Sequence, residues 1–132
     1  MGMALRQIGD FKMTDARTIA ENYIALWNET DPQRRQALIE EGWAADAVYV
    51  DPMMQGKGHA EIAGLVGAVQ ERFPNFRFNL IGKPDGFGDY VRFSWSLGPD
   101  NIDAPIEGTD FAVIKADRIQ AVTGFLDKVP AA

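Results

Sequence analysis

Val48, Tyr49 and Val50 form a short apolar run that ends on Asp51, with Pro52 directly behind it. Asp51 has two readings. Asp before Pro is a common turn-starting pair, because the short carboxylate bonds to backbone amides and proline presets the next φ. A carboxylate at the rim of an apolar pocket is also a general base. It can take a proton from carbon beside a carbonyl if donors face the oxygen that becomes negative. A second acid stands out by its setting. Asp110 lies in "GTDFAVI", residues 108–114, among Thr109, Phe111, Ala112, Val113 and Ile114. Strands disfavour Asp, so its place in one asks for a reason. Desolvation there raises a carboxyl's pKa; pairing with Arg92 or Arg118 across a sheet is the structural alternative.

Other chemistries find little support. The chain has no cysteine, which excludes thiol catalysis, disulfides and cysteine-bound zinc. His59 is the only histidine and follows Gly58 at a helix start. One His with scattered acids makes no metal site, and no Ser motif completes a triad. The expectation is no metal and no cofactor. "GKG" at 56–58 lacks the phosphate-loop pattern, and "GFG" at 86–88 fits a hairpin turn. Trp27, Tyr49, Phe93 and Trp95 suit either an aromatic core or the wall of an apolar cavity. Met53 and Met54 suit a pocket rim or dimer packing.

These groups need elements to hold them. Residues 14–31 read as a helix, with Thr14 or Asp15 as N-cap and Ala16, Ile19, Ala20, Tyr23, Ile24 and Trp27 on one face. Tyr23 thus falls on the core side, where a Tyr commonly packs with a partner for its hydroxyl. Asp31–Pro32 starts a second helix, to about 41, with Gly42 expected as a left-handed C-terminal residue. A strand at 47–51 follows, then a third helix over 59–73 stopped by Pro74. The period then becomes two. Phe76, Phe78 and Leu80 alternate, "KPDGFGD" is expected to turn, and Val91, Phe93, Trp95 and Leu97 alternate again. Strands at 106–116 and 118–127 meet at Ala116–Asp117. Helices first and a strand meander after predict an α+β fold.

The 132 residues make one domain, 14–132, behind a loose N-terminal arm, 1–13. A net charge of −6 with scattered basic residues speaks against nucleic-acid or anionic-membrane partners. The start lacks a secretory pattern, so a cytoplasmic location is expected.

Several motifs carry a resemblance over residues 14–128: "NYIALWNETD", "WAADAVYVDP", "GKGHAEI", "GTDFAVI" and "DRIQAVTGFLD". The chain resembles the nuclear transport factor 2-like superfamily, more narrowly its SnoaL-like branch, and is similar to the ketosteroid isomerases. The resemblance implies a cone-shaped, strongly curved mixed β-sheet wrapped around N-terminal helices, the cystatin-like α+β barrel, with a pocket at its open end. It implies a homodimer through the outer sheet face. Asp51 falls where the isomerases keep their base, Tyr23 where they keep an oxyanion-hole Tyr, and Asp110 near their second oxyanion donor. Leu126 stands where they have a Trp, so the pocket differs there. The implied activity is cofactor-independent isomerase, cyclase or lyase chemistry on an apolar carbonyl compound. Trp27, Tyr49, Met53, Phe93, Trp95 and Leu126 would contact the substrate. An epoxide-opening enzyme using Arg92 and Asp110, or a non-catalytic binding or dimerisation domain, are the alternatives.

Overall fold

The computed structural model describes residues 15–100 and 103–130. Residues 1–14, including the expected arm and Thr14, lie outside the described residues. The elements run α1 (Ala16–Asn28), α2 (Pro32–Gly42), β1 (Trp43–Val50), β2 (Gln55–Lys57), α3 (Gly58–Arg72), β3 (Phe76–Phe87), β4 (Tyr90–Pro99), β5 (Ile106–Lys115) and β6 (Arg118–Lys128). The six strands form one curved, open sheet in the order β2-β1-β6-β5-β4-β3. All neighbours are antiparallel except β1 and β6, which run parallel. This is the expected α+β architecture. Among the described residues no helix is long and apolar enough to cross a membrane.

Asp15 caps α1, accepting from the Thr18 amide at 3.3 Å and its hydroxyl at 2.7 Å. Ala20, Tyr23, Ile24, Leu26 and Trp27 are the helix's buried side, following the three- and four-residue spacing. They pack on the inward row of β4, formed by Val91, Phe93, Trp95 and Leu97. Burying side chains of this size contributes roughly 1.5–3 kcal/mol each, before the entropy of ordering them.

The far end of α1 is tied by polar groups. Asn28 accepts from the Phe78 amide at 2.8 Å and donates to its carbonyl at 2.9 Å, mimicking a strand neighbour for β3. The Gln70 amide of α3 donates to the carbonyls of Trp27 (2.9 Å) and Glu29 (2.8 Å). Those carbonyls belong to a helix end, where no intrahelical donor is left for them. Arg35 of α2 donates to the Gln70 side chain at 2.6 Å, so all three helices meet at that residue.

Three local expectations are corrected. Gly42 is the last residue of α2 and is not among the glycines with positive φ, since the chain passes straight into extended Trp43. Strand β1 begins at Trp43 rather than 47, because Trp43 pairs with Ile119 before a shift in register reaches Val48. "KPDGFGD" is mostly strand. The chain kinks between Ile81 and Asp85, with Gly82 at φ 69°, then resumes pairing through Phe87 opposite Tyr90. Only Gly88 and Asp89 turn. Ala116 and Asp117 do form the expected tight turn, both with positive φ (52° and 64°), as a two-residue hairpin loop of primed type requires.

Candidate active site

Tyr23, Asp51 and Asp110 come together on one cavity of about 520 Å³ inside the open end of the sheet. Trp27, Tyr49, Met53, Trp95 and Leu126, expected as substrate contacts, also line it. Phe93 does not. It lies behind Tyr23, ring centroids 4.8 Å apart and edge-on, and fixes the phenol from the sheet side. Sequence reading missed Phe78 of β3 and the α3 wall of Val69, Arg72 and Phe73. Their apolar period was visible, but nothing local distinguishes a helix face on a cavity from one on solid core.

Alternation along β5 turns Asp110 inward, between buried Gly108 and Ala112, and its side chain is only 1 % exposed. The Tyr23 hydroxyl donates to its Oδ2 at 2.5 Å, across 87 residues of chain. Its Oδ1 has no hydrogen-bond partner among the described residues. Desolvation is the main force on this carboxyl and pushes its pKa up to about 6; the bond from Tyr23 and the nearby Trp95 indole pull it down, and the charges of Asp51 and Asp127 add to the rise. The Trp95 N–H stays short of hydrogen-bonding geometry, and the indole nitrogens of Trp27 and Trp95 are both buried and without a partner among the described residues. Burial first, and then the Asp110 charge, hold the Tyr23 and Tyr49 hydroxyls well above their ordinary pKa, so both remain donors.

Asp51 fulfils both readings of its position. Its Oδ1 accepts from the amides of Met53 (2.7 Å) and Met54 (2.9 Å), which makes it the residue that ends β1 and closes the turn. Its Oδ2 accepts from the Tyr49 hydroxyl at 2.6 Å, and the half-buried side chain forms part of the cavity wall. The two acids are neighbours across Gly124 of β6, the strand partner of Asp110. A Cβ placed on Gly124 would lie 2.7 Å from Asp110 Oδ1 and 3.2 Å from Asp51 Cβ. Those distances put Asp110 Oδ1 no more than about 5.9 Å from Asp51 Cβ. Only a residue without a side chain leaves that gap open. Gly108 plays a similar part for Trp95, whose ring occupies the space a side chain would need.

The other candidates lie elsewhere. Arg92 faces outward opposite Phe111 and pairs with Asp85 at 3.2 Å, so it cannot join Asp110 in opening an epoxide. Neither Asp51 nor Asp110 has an ion-pair partner among the described residues. The ring of His59 donates through Nε2 to the Trp43 carbonyl at 2.9 Å and holds the start of α3 against β1. Met53 is a rim residue, 72 % exposed. Among the described residues no group of three His, Asp or Glu side chains is placed to hold a metal ion.

No curated protein matches the sequence. Among solved structures, a proposed isomerase of the SnoaL-like family from Agrobacterium tumefaciens is 45% identical, with 85% of this chain and 97% of that one covered at a TM-score of 0.82. A proposed polyketide cyclase from Sinorhizobium meliloti is 18% identical, covering 81% of this chain and 93% of its own at a TM-score of 0.65. A Catenulispora acidiphila protein of ketosteroid isomerase-like fold, solved with trimethylamine, is 20% identical, covering 80% and 82% at a TM-score of 0.65. The last two show likeness of fold alone. A model of the SnoaL-like domain matches residues 20–122, and with that the chain belongs to the SnoaL-like family.

Proposed function

We propose that this chain is a cofactor-independent enzyme of the isomerase, cyclase or lyase kind, moving a proton on an apolar carbonyl compound. One observation carries the reading. A buried carboxyl, held on one oxygen by Tyr23 and unpartnered on the other, stands in the wall of an apolar cavity. Its pKa of about 6 suits a group that must both accept and return a proton near neutrality.

This favours Asp110 for the proton-transfer role that the sequence placed on Asp51. Asp110 Oδ1 would take a proton from carbon, the C–H electron pair moving toward the carbonyl oxygen, and would return the proton at a second carbon. Tyr23 fixes the carboxyl through Oδ2. Trp27 and Trp95 line the same cavity, and their indole N–H groups, buried and unpartnered among the described residues, would have to turn toward it to meet the oxygen that gains charge. Asp51, its own oxygens held by Tyr49 and two amides, is the second acid at the rim.

The test is exchange of the methyl hydrogens of acetophenone for deuterium, followed by NMR. Asp110→Asn should abolish catalysed exchange with the fold intact, and Asp51→Asn should lower it. Full exchange in Asp110→Asn sinks the assignment. A homodimer is part of the proposal. The outer sheet face exposes Phe87, Tyr90, Phe111 and Phe125, apolar side chains that a partner copy would cover. A cytoplasmic location completes it.

A further inference from the structure

Among the described residues the cavity's charge is uncompensated. Asp110 and Asp51 face each other across Gly124, and neither meets a cation among the described residues. The groups around Asp110 are Tyr23 from α1, Tyr49 from β1, Asp51 just after it, Trp95 from β4 and Asp127 from β6, all neutral donors or further acids. Arg72 is the one basic residue on the wall. It is exposed on the last turn of α3, with its guanidinium 5.8 Å from the centre of the Phe73 ring. The rest of the wall is apolar, and much of it is aromatic. Tyr49, Trp27, Phe78 and Trp95 form an unbroken belt, each ring centroid 5.2 to 5.7 Å from the next.

Ring faces and unpaired carboxylates attract the same kind of ligand. The π-face is the negative side of an aromatic ring and draws cations, most strongly where water is excluded. A buried carboxylate oxygen without a donor is costly until a donor arrives, and a charged donor makes the stronger bond. We propose that this cavity is a seat for an organic ammonium ion, held by the combined negative charge of Asp51 and Asp110 and walled by the aromatic belt. The substrate is then an apolar carbonyl compound that carries a protonated amine. The inference rests on the acid–base reading of the same site, because a neighbouring ammonium group makes the C–H that Asp110 takes more acidic.

The test uses three probes of one shape: benzylamine, benzyl alcohol and benzoate, titrated calorimetrically into the intact chain near pH 7.5. Benzylamine should bind on the order of tenfold or more tightly than benzyl alcohol, with benzoate weakest. The amine's affinity should rise as pH increases from 5 to 7, while Asp110 loses its proton, and the alcohol's should stay level. Asp110→Asn should bring the amine down to the alcohol's affinity. Equal binding of amine and alcohol, preference for benzoate, or binding of none of the three overturns the proposal. If Asp110→Asn does not fold, the pH dependence of the wild type decides by itself. Acetophenone contains no nitrogen, so the two ideas fail separately. Exchange without amine preference removes the ammonium seat alone, and amine preference without exchange removes the acid–base reading alone.

Discussion

Tyr23→Phe deletes one hydroxyl from the centre of the molecule and leaves the ring in place. In the wild type that hydroxyl donates to Asp110 at 2.5 Å and lowers a pKa that burial has raised from 3.8 to about 6. A folded value above the unfolded one means that the folded chain holds the proton more tightly. The stability this group supplies is therefore full below pH 3.8 and is lost as pH rises to about 6. The gap between the two values corresponds to about 3 kcal/mol lost on reaching neutrality. Without its donor the carboxylate is worse placed, so in Tyr23→Phe the titration moves higher and the loss continues past pH 6. Near pH 5 the wild-type carboxyl is mostly neutral, and the substitution should cost about 1 kcal/mol, as for a neutral hydrogen bond. Near pH 8 the lost bond is one to a charged group, and the cost should reach about 2 to 3 kcal/mol. Urea denaturation of both proteins at the two pH values measures this directly. An equal cost at pH 5 and pH 8 would refute the reasoning, since it would mean that Asp110 does not ionise in contact with Tyr23.

Three further outcomes follow from particular contacts. Gly124→Ala puts a methyl group 2.7 Å from Asp110 Oδ1, so the carboxyl must turn aside. Ketone exchange should fall at least tenfold while circular dichroism is unchanged, and undiminished exchange would show that the gap between the acids is not used. Gln70→Ala strands the carbonyls of Trp27 and Glu29 and should lower stability by roughly 1 to 3 kcal/mol in urea. A change below a few tenths would mean that water replaces the amide. Joint Phe111→Glu and Phe125→Glu should convert a dimer to a monomer in light scattering, these rings standing edge to face, 5.8 Å apart, on the exposed sheet surface. A wild type that is already monomeric removes the dimer.

Much of the site was legible because strands and helices have short periods. Tyr23 and Trp27 lie on the apolar side of α1 by spacing alone, but the face on which Asp110 lies was not legible, because Phe111 and Val113 on the outer row of β5 are as apolar as Ala112 and Ile114 on the inner one. Asp51 was legible as a turn acid and as a cavity acid, and it is both. Gly124 was not, because its value is the absence of a side chain beside two residues far away in sequence. Asn28, Gln70 and Arg35 were equally hidden: each is an ordinary surface type whose partner is a backbone group or side chain from another element. The missed continuation of β3 through Phe87 has a similar cause. Pro84 and the glycines at 82 and 86 suggest a loop, but pairing with β4 outweighs local preference once the kink has taken up the mismatch. Phe93 was drawn into the pocket by its alternation with Trp95, yet Tyr23 stands between it and the space.

The parallel pairing of β1 with β6 also sets the order in which the site can come into being. Strand β6 lies between β1, which leads to Asp51, and β5, which bears Asp110. Until it docks, the helices and the β3–β5 meander can form largely from contacts near in sequence, but the two acids have no common wall. Closing that seam joins residues 43–50 to 118–128, the kind of distant contact that is entropically costly and slow. The carboxyl pair thus depends on that one seam, and a substitution that weakens it should remove the site before it removes the fold.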